Sequence, residues 1–174
     1  MNDQILITDC IKKNPTAQKA LFENNYRQMF NLGMRFLANH HDTEDILIIA
    51  FTKVFRKIED FEYRGDNSLQ KWIKTIVINE AIRFLKQKKE LFLFESLSCI
   101  EIEPPAYFNE VSLDTEEAYA IIESMPTGYR TIFNMYAIEG YTHQEISEML
   151  QITQSTSKSQ LCKARNYIIT KLKK

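Results

Sequence analysis

Between residues 90 and 118 the chain carries eight carboxylates (Glu90, Glu95, Glu101, Glu103, Glu110, Asp114, Glu116 and Glu117) and no lysine or arginine. Pro104-Pro105 stands in the middle and forbids a continuous helix. The stretch reads as an interdomain linker, although Leu91-Phe92-Leu93-Phe94 is apolar enough to pack on something. With 174 residues, 44% of them hydrophobic, the chain has material for two small domains of about 70 residues each.

Only 4 Gly and 4 Pro punctuate the sequence, so long helices are expected and a turn-rich β fold is not. No apolar run approaches the roughly 20 residues that span a membrane. The start, Met1-Asn2-Asp3-Gln4, lacks the basic flank and cleavage site of a signal peptide. A cytoplasmic protein without membrane insertion is expected. Cys10, Cys99 and Cys162 are widely separated and odd in number, which predicts reduced thiols rather than a disulfide framework. His40 and His41 are adjacent and His143 is distant, so no zinc-type spacing exists and neither a metal nor a cofactor is expected. No nucleophile paired with a base is visible, which argues against an enzyme.

Asn14-Pro15 predicts a helix start, followed by an amphipathic segment to about Leu37. Asp42 is placed to cap a second helix running to about Ile58. The polar stretch Glu62–Ser68 reads as a loop, and a third helix spans about Leu69–Lys89. Beyond the linker, helices are expected from Asp114 or Thr115 to before Pro126 and from Thr127 to Gly140. Thr142 and Glu145 form a capping box opening the next. A final helix starts near Thr153, in a tail whose charges from residue 151 onward are all basic.

Tyr141–Arg165 has the pattern of a helix-turn-helix. Ile146, Met149 and Leu150 point inward, Gln151-Ile152 makes the turn, and Leu161, Ala164, Ile168 and Leu172 share one face of the second helix. The other face carries Ser155, Thr156, Ser159, Lys163 and Asn166, short hydrogen-bonding groups and a cation such as a major-groove helix needs. Lys158 and Arg165 lie nearer the core side and suit the phosphate backbone. An ordinary solvated face has the same look, so spacing alone leaves both readings open.

In the third helix Ile73, Val77, Ala81 and Phe84 make an inward stripe, and Thr75, Asn79, Arg83 and Lys86, with Trp72 beside them, the opposite one. Cations and an amide next to an aromatic ring suit single-stranded DNA, where stacking contributes about 1–3 kcal/mol per base. The preceding loop offers Tyr63, Arg64, Asp66, Asn67 and Ser68 for an extruded base. In the second helix Ile46 and Ile49 with Asp45 read as a protein-docking patch.

Together these segments resemble the extracytoplasmic-function sigma factors, within the sigma-70 family. The resemblance rests on Asp42-Thr43-Glu44-Asp45-Ile46 followed by Ala50-Phe51-x-Lys53-Val54, and on Leu69-x-x-Trp72-Ile73-x-x-Ile76-x-x-Asn79. It rests equally on Met125-Pro126-x-x-Tyr129-Arg130-x-x-Phe133 with Glu139-Gly140-Tyr141-Thr142-x-x-Glu145-Ile146-Ser147, and on Thr156-Ser157-Lys158-Ser159-Gln160-Leu161-x-Lys163-Ala164-Arg165.

The resemblance implies an all-α protein: a region 2-like domain over 1–90, a flexible acidic linker over 91–111, and a region 4-like helix-turn-helix domain over 112–174. The implied partners are core RNA polymerase (its β′ clamp helices and β flap), promoter DNA and an anti-sigma factor. Asp45, Ile46 and Ile49 would dock on polymerase. Tyr63, Arg64, Asp66, Asn67, Ser68, Asn79, Arg83 and Lys86 would take the −10 element. Ser155, Thr156, Lys158, Ser159, Lys163 and Arg165 would take the −35 element, and the linker would run through the polymerase channel.

Four positions depart from the family pattern. Ile48-Ile49 replace a Gln-Glu pair, which implies a more apolar interface or an inhibitor's surface. Gln151 replaces the turn glycine and is less at ease with positive φ, which leaves the turn open to change. Cys162 replaces an aromatic, histidine or serine. A stand-alone helix-turn-helix regulator and a protein-only helical adaptor are the other readings the residues permit.

Overall fold

The computed structural model describes residues 3–88, 99–100 and 115–172. Among them are helices and turns and no strand. No helix among them is long and apolar enough to cross a membrane. The chain divides into two compact units, Met1–Phe84 and Leu85–Lys174. Most of the expected linker, including Leu91–Phe94 and Pro104-Pro105, lies outside the described residues.

The first unit holds α1 (Asp3–Ile11), α2 (Pro15–Leu37), α3 (His40–Lys57) and α4 (Ser68–Gln87) as far as Phe84. The helix α1 is too short for its buried Leu6, Ile7 and Cys10 to show a period in the sequence. α2 begins where expected, with the Asn14 side chain accepting from the Thr16 and Ala17 N–H groups. α3 begins earlier than expected. Its cap is Asn39, not Asp42, and the Asn39 side chain accepts from the Asp42 N–H at 3.0 Å. Asp42 instead sits in the first turn, where its charge suits the helix dipole. Gly33 faces α3 so closely that a Cβ would stand 2.6 Å from Cγ2 of the buried Thr43. The core is built from Leu21, Met29, Leu32 and Phe36 of α2, Leu47, Phe51 and Val54 of α3, and Ile73, Val77, Ile78 and Ala81 of α4. Each large aliphatic side chain buried there contributes about 1.5–3 kcal/mol relative to exposure.

The second unit holds α5 (Thr115–Ser124), α6 (Thr127–Phe133), α7 (His143–Leu150) and α8 (Gln154–Leu172). α6 widens into a π-helical turn over Asn134–Ile138, and the chain then passes Gly140 at φ +79°. α5, α6 and α7 all pack on α8. The buried Arg130 donates from Nη1 to the carbonyls of Glu123 (2.9 Å) and Met125 (3.1 Å), satisfying acceptors at the end of α5. The Thr142–Glu145 capping box forms as expected, and it holds the Glu145 carboxyl below its ordinary pKa. Gln151 adopts the left-handed conformation (φ 59°, ψ 49°), so the turn keeps its shape without glycine.

The thiol expectation fails for two of three cysteines. Cys10 is free and buried, but Cys99 and Cys162 form a disulfide across a sequence separation of 63. Wide spacing says nothing about distance in space; the chain returns and brings the two Cα atoms to 6.1 Å.

Candidate nucleic-acid interface

In the second unit the surface is set by how α8 starts. The Thr153 hydroxyl accepts from the Thr156 N–H at 3.0 Å, and the two threonine hydroxyls lie 2.9 Å apart. Thr156 is therefore buried, at 4% exposure, and serves the cap; it does not lie on the open face where spacing put it. Ser155, Lys158 and Arg165 are exposed, and Ser159, Lys163 and Asn166 are half-buried. Lys158 and Arg165 are thus more open than spacing suggested. α8 carries no acid, so its face is cationic and hydrogen-bonding throughout.

His143 holds α7 against α8, a role that spacing did not reveal. Its Nδ1 lies 2.8 Å from the hydroxyl of the fully buried Ser157, and its ring stacks on Tyr136 at 4.4 Å. Burial lowers its pKa, and the neighbouring charges of Lys158 and Arg165 lower it further.

In the first unit the loop before α4 is bonded to itself. The Tyr63 hydroxyl donates to Asp66 at 3.2 Å, the Arg64 N–H to the Ser68 hydroxyl at 3.2 Å, and that hydroxyl to the Gly65 carbonyl at 2.7 Å. Gly65 (φ +99°) and Asn67 (φ +63°) supply the left-handed turns. Desolvation and the Asp66 carboxylate together raise the Tyr63 pKa. Beside the loop opens a pocket of about 480 Å³, lined by Asp60, Phe61, Glu62, Arg64, Ser68 and Trp72. The Phe61 and Trp72 rings, 5.0 Å apart, offer an aromatic wall. Asp60 and Glu62 line the same pocket, and Glu62 accepts from Arg64 Nη2 at 2.9 Å. Sequence reasoning missed Asp60, Phe61 and Glu62, which lie just ahead of the segment it singled out. Along α4, Thr75, Asn79, Arg83 and Lys86 are exposed in one row, and Lys71 extends it.

The α3 surface differs from its sequence reading at Ile46. Ile46 is 3% exposed and belongs to the core, because its place in the turn puts it beside Leu47 and Ala50. Lys53 turns back and pairs with Glu80 of α4, which also lies 3.8 Å from Arg83. What remains outside is Asp45, Ile48 and Ile49, the two isoleucines 62% and 44% exposed.

Residues 21–90 match the family Sigma-70 region 2, and residues 115–168 match Sigma-70, region 4. The ECF RNA polymerase sigma-E factor of Escherichia coli K12 is 24% identical over 99% of this chain and 95% of its own length. The Haemophilus influenzae protein of that name is 22% identical over 99% and 96%. Among solved structures, CnrH in complex with the cytosolic domain of CnrY shares the fold with a TM-score of 0.53, at 19% identity, covering 98% of this chain and 97% of that one. The sigma factor RpoE in complex with the anti-sigma factor NepR from Bartonella quintana does so with a TM-score of 0.55, at 20% identity, covering 89% and 96%.

Proposed function

The chain belongs to the sigma-70 family as an extracytoplasmic-function sigma factor, which directs promoter-specific transcription, and we propose that its two units divide promoter recognition between them. The pocket walled by Phe61 and Trp72, with the Tyr63–Ser68 loop and the Asn79, Arg83 and Lys86 row, takes unpaired bases of the −10 element. Rings stack the base and cations hold its phosphates. The open face of α8 (Ser155, Lys158, Ser159, Lys163 and Arg165) takes the −35 duplex, with Thr156 fixing the start of that helix. Asp45, Ile48 and Ile49 dock on the β′ clamp helices. The acidic segment 91–111 runs through the cationic channel of polymerase.

The observation that carries this reading is the pairing of an aromatic-walled pocket in one unit with an acid-free helix after a tight turn in the other. A stand-alone regulator has no use for the first. The protein catalyses no step itself in this scheme and works in the cytoplasm with polymerase. Because the Bartonella quintana sigma factor is bound to the anti-sigma factor NepR, and CnrH to a further protein, an anti-sigma factor is proposed for this chain too.

Run-off transcription with purified core polymerase and a promoter library tests the reading. New, discrete start sites are expected only when the protein is present. Failure to associate with core, or association that leaves start sites unchanged, would sink it.

A further inference from the structure

We infer that the Cys99–Cys162 disulfide is a redox-operated cover on α8, closed to duplex DNA when oxidised and open when reduced. The inference rests on the reading of α8 as the helix that enters the groove.

At about 100° per residue, Ser155, Ser159, Cys162 and Asn166 fall within one sector of about 60°, flanked by Lys158 and Lys163. Cys162 thus sits in the middle of the hydrogen-bonding face. It is nevertheless only 7% exposed, and its sulfur is bonded to Cys99. Next to the bond, Asn166 donates from Nδ2 to the Ile100 carbonyl at 2.9 Å. The segment Cys99-Ile100 therefore lies across the third turn of α8 and occupies an amide that faces the same way as Ser155 and Ser159.

Size decides what this does. A helix with its side chains is about 10–12 Å across, and the major groove is about 12 Å wide. One further strand of polypeptide needs about 4.8 Å. A groove that just admits the helix has no room for helix and strap together.

The strap is also built to leave. Ile100 is 86% exposed, so no apolar burial holds it. The disulfide holds this pair to α8, and Asn166 Nδ2 reaches both the Ile100 carbonyl and the Cys99 sulfur, the latter at 3.4 Å. Cys99 is half-buried and the more open of the two sulfurs, hence the point of attack. A dithiol reductant attacks it as thiolate, forming a mixed disulfide and releasing the Cys162 thiolate, which takes up a proton. The second sulfur of the dithiol then displaces Cys99. The reductant leaves as its own disulfide, having supplied two electrons and two protons, and Cys99 and Cys162 remain as thiols.

The test uses full-length protein assembled with core polymerase, air-oxidised or treated with dithiothreitol, on a library of random duplexes. Mass spectrometry scores the 99–162 link in each sample. Reduction should raise the retention of selected −35-type duplexes at least about tenfold. C99S should retain them equally well under both conditions. Absence of the link after oxidation overturns the inference, and so does equal retention by linked and reduced protein. If no form retains duplex, C99S included, the reading of α8 falls and the cover falls with it; that outcome differs from equal, sequence-selective retention by all forms.

Discussion

The His143 imidazole meets the Ser157 hydroxyl at 2.8 Å, so the first residue of α7 is tied to a buried residue one turn inside α8. Its pKa lies below the ordinary 6.5, chiefly through burial and then through Lys158 and Arg165. Between the lowered value and 6.5 the unfolded chain holds a proton that the folded chain does not. Stability therefore rises with pH across that window and is lost as pH falls through it. Protection factors of the α7 and α8 amides, corrected for the intrinsic exchange rate at each pH, should fall as the pH drops below 6.5. H143Q should remove most of that dependence; an unchanged slope would dismiss the histidine as its source.

Glu80 is 8% exposed and accepts from Lys53 on α3. Truncating it deletes a charge-assisted hydrogen bond between two helices of the first unit. E80A should cost about 1–3 kcal/mol, near the lower end because Lys53 can rehydrate. Trp72, the one tryptophan, reports on this unit. A urea midpoint unaltered by E80A would mean the pair is ornamental.

The close approach at Gly33 predicts a coupled pair of substitutions. G33A places a methyl 2.6 Å from Cγ2 of Thr43, and both helices are fixed by the core around them. Overpacking of this kind costs about 1–3 kcal/mol, more than alanine's gain in helix propensity. T43S removes the clashing methyl but keeps the hydroxyl that bonds the Asn39 carbonyl at 2.6 Å. The double variant should recover much of the loss; simple additivity of the two single effects would refute the contact.

Docking through isoleucine rather than through charges has a salt signature. I49D should weaken binding to core polymerase by about 1–2 kcal/mol, and the loss should persist at high salt. The effect of D45R should shrink as salt rises, since exposed charges are screened. Titration of labelled protein with core polymerase at two ionic strengths separates them. Salt-dependence of equal size for both would count against an apolar contact.

The order of the helices after α1 was legible because their signals are local: Asn14-Pro15, Thr142 with Glu145, and stripes repeating every three or four residues. What stayed hidden depended on partners distant in sequence. Ile46 and Ile49 differ by three positions, and only the angle at which α3 sits on the core separates buried from exposed. Thr156 looked like a base reader because a cap and a contact call for the same hydroxyl. Glu80, His143 and the Cys99–Cys162 bond each need a second residue 14 to 63 positions away, which no period encodes.

The disulfide also changes how far the protein can stretch. From Lys88 to Thr115 an extended backbone covers at most about 97 Å, but from Lys88 to Cys99 only about 40 Å. Two promoter elements named for positions 10 and 35 lie about 85 Å apart along B-form DNA. If the two units grip these elements as proposed, the crosslink fastens the chain between them to α8 at less than half its length, and cutting it returns the full length.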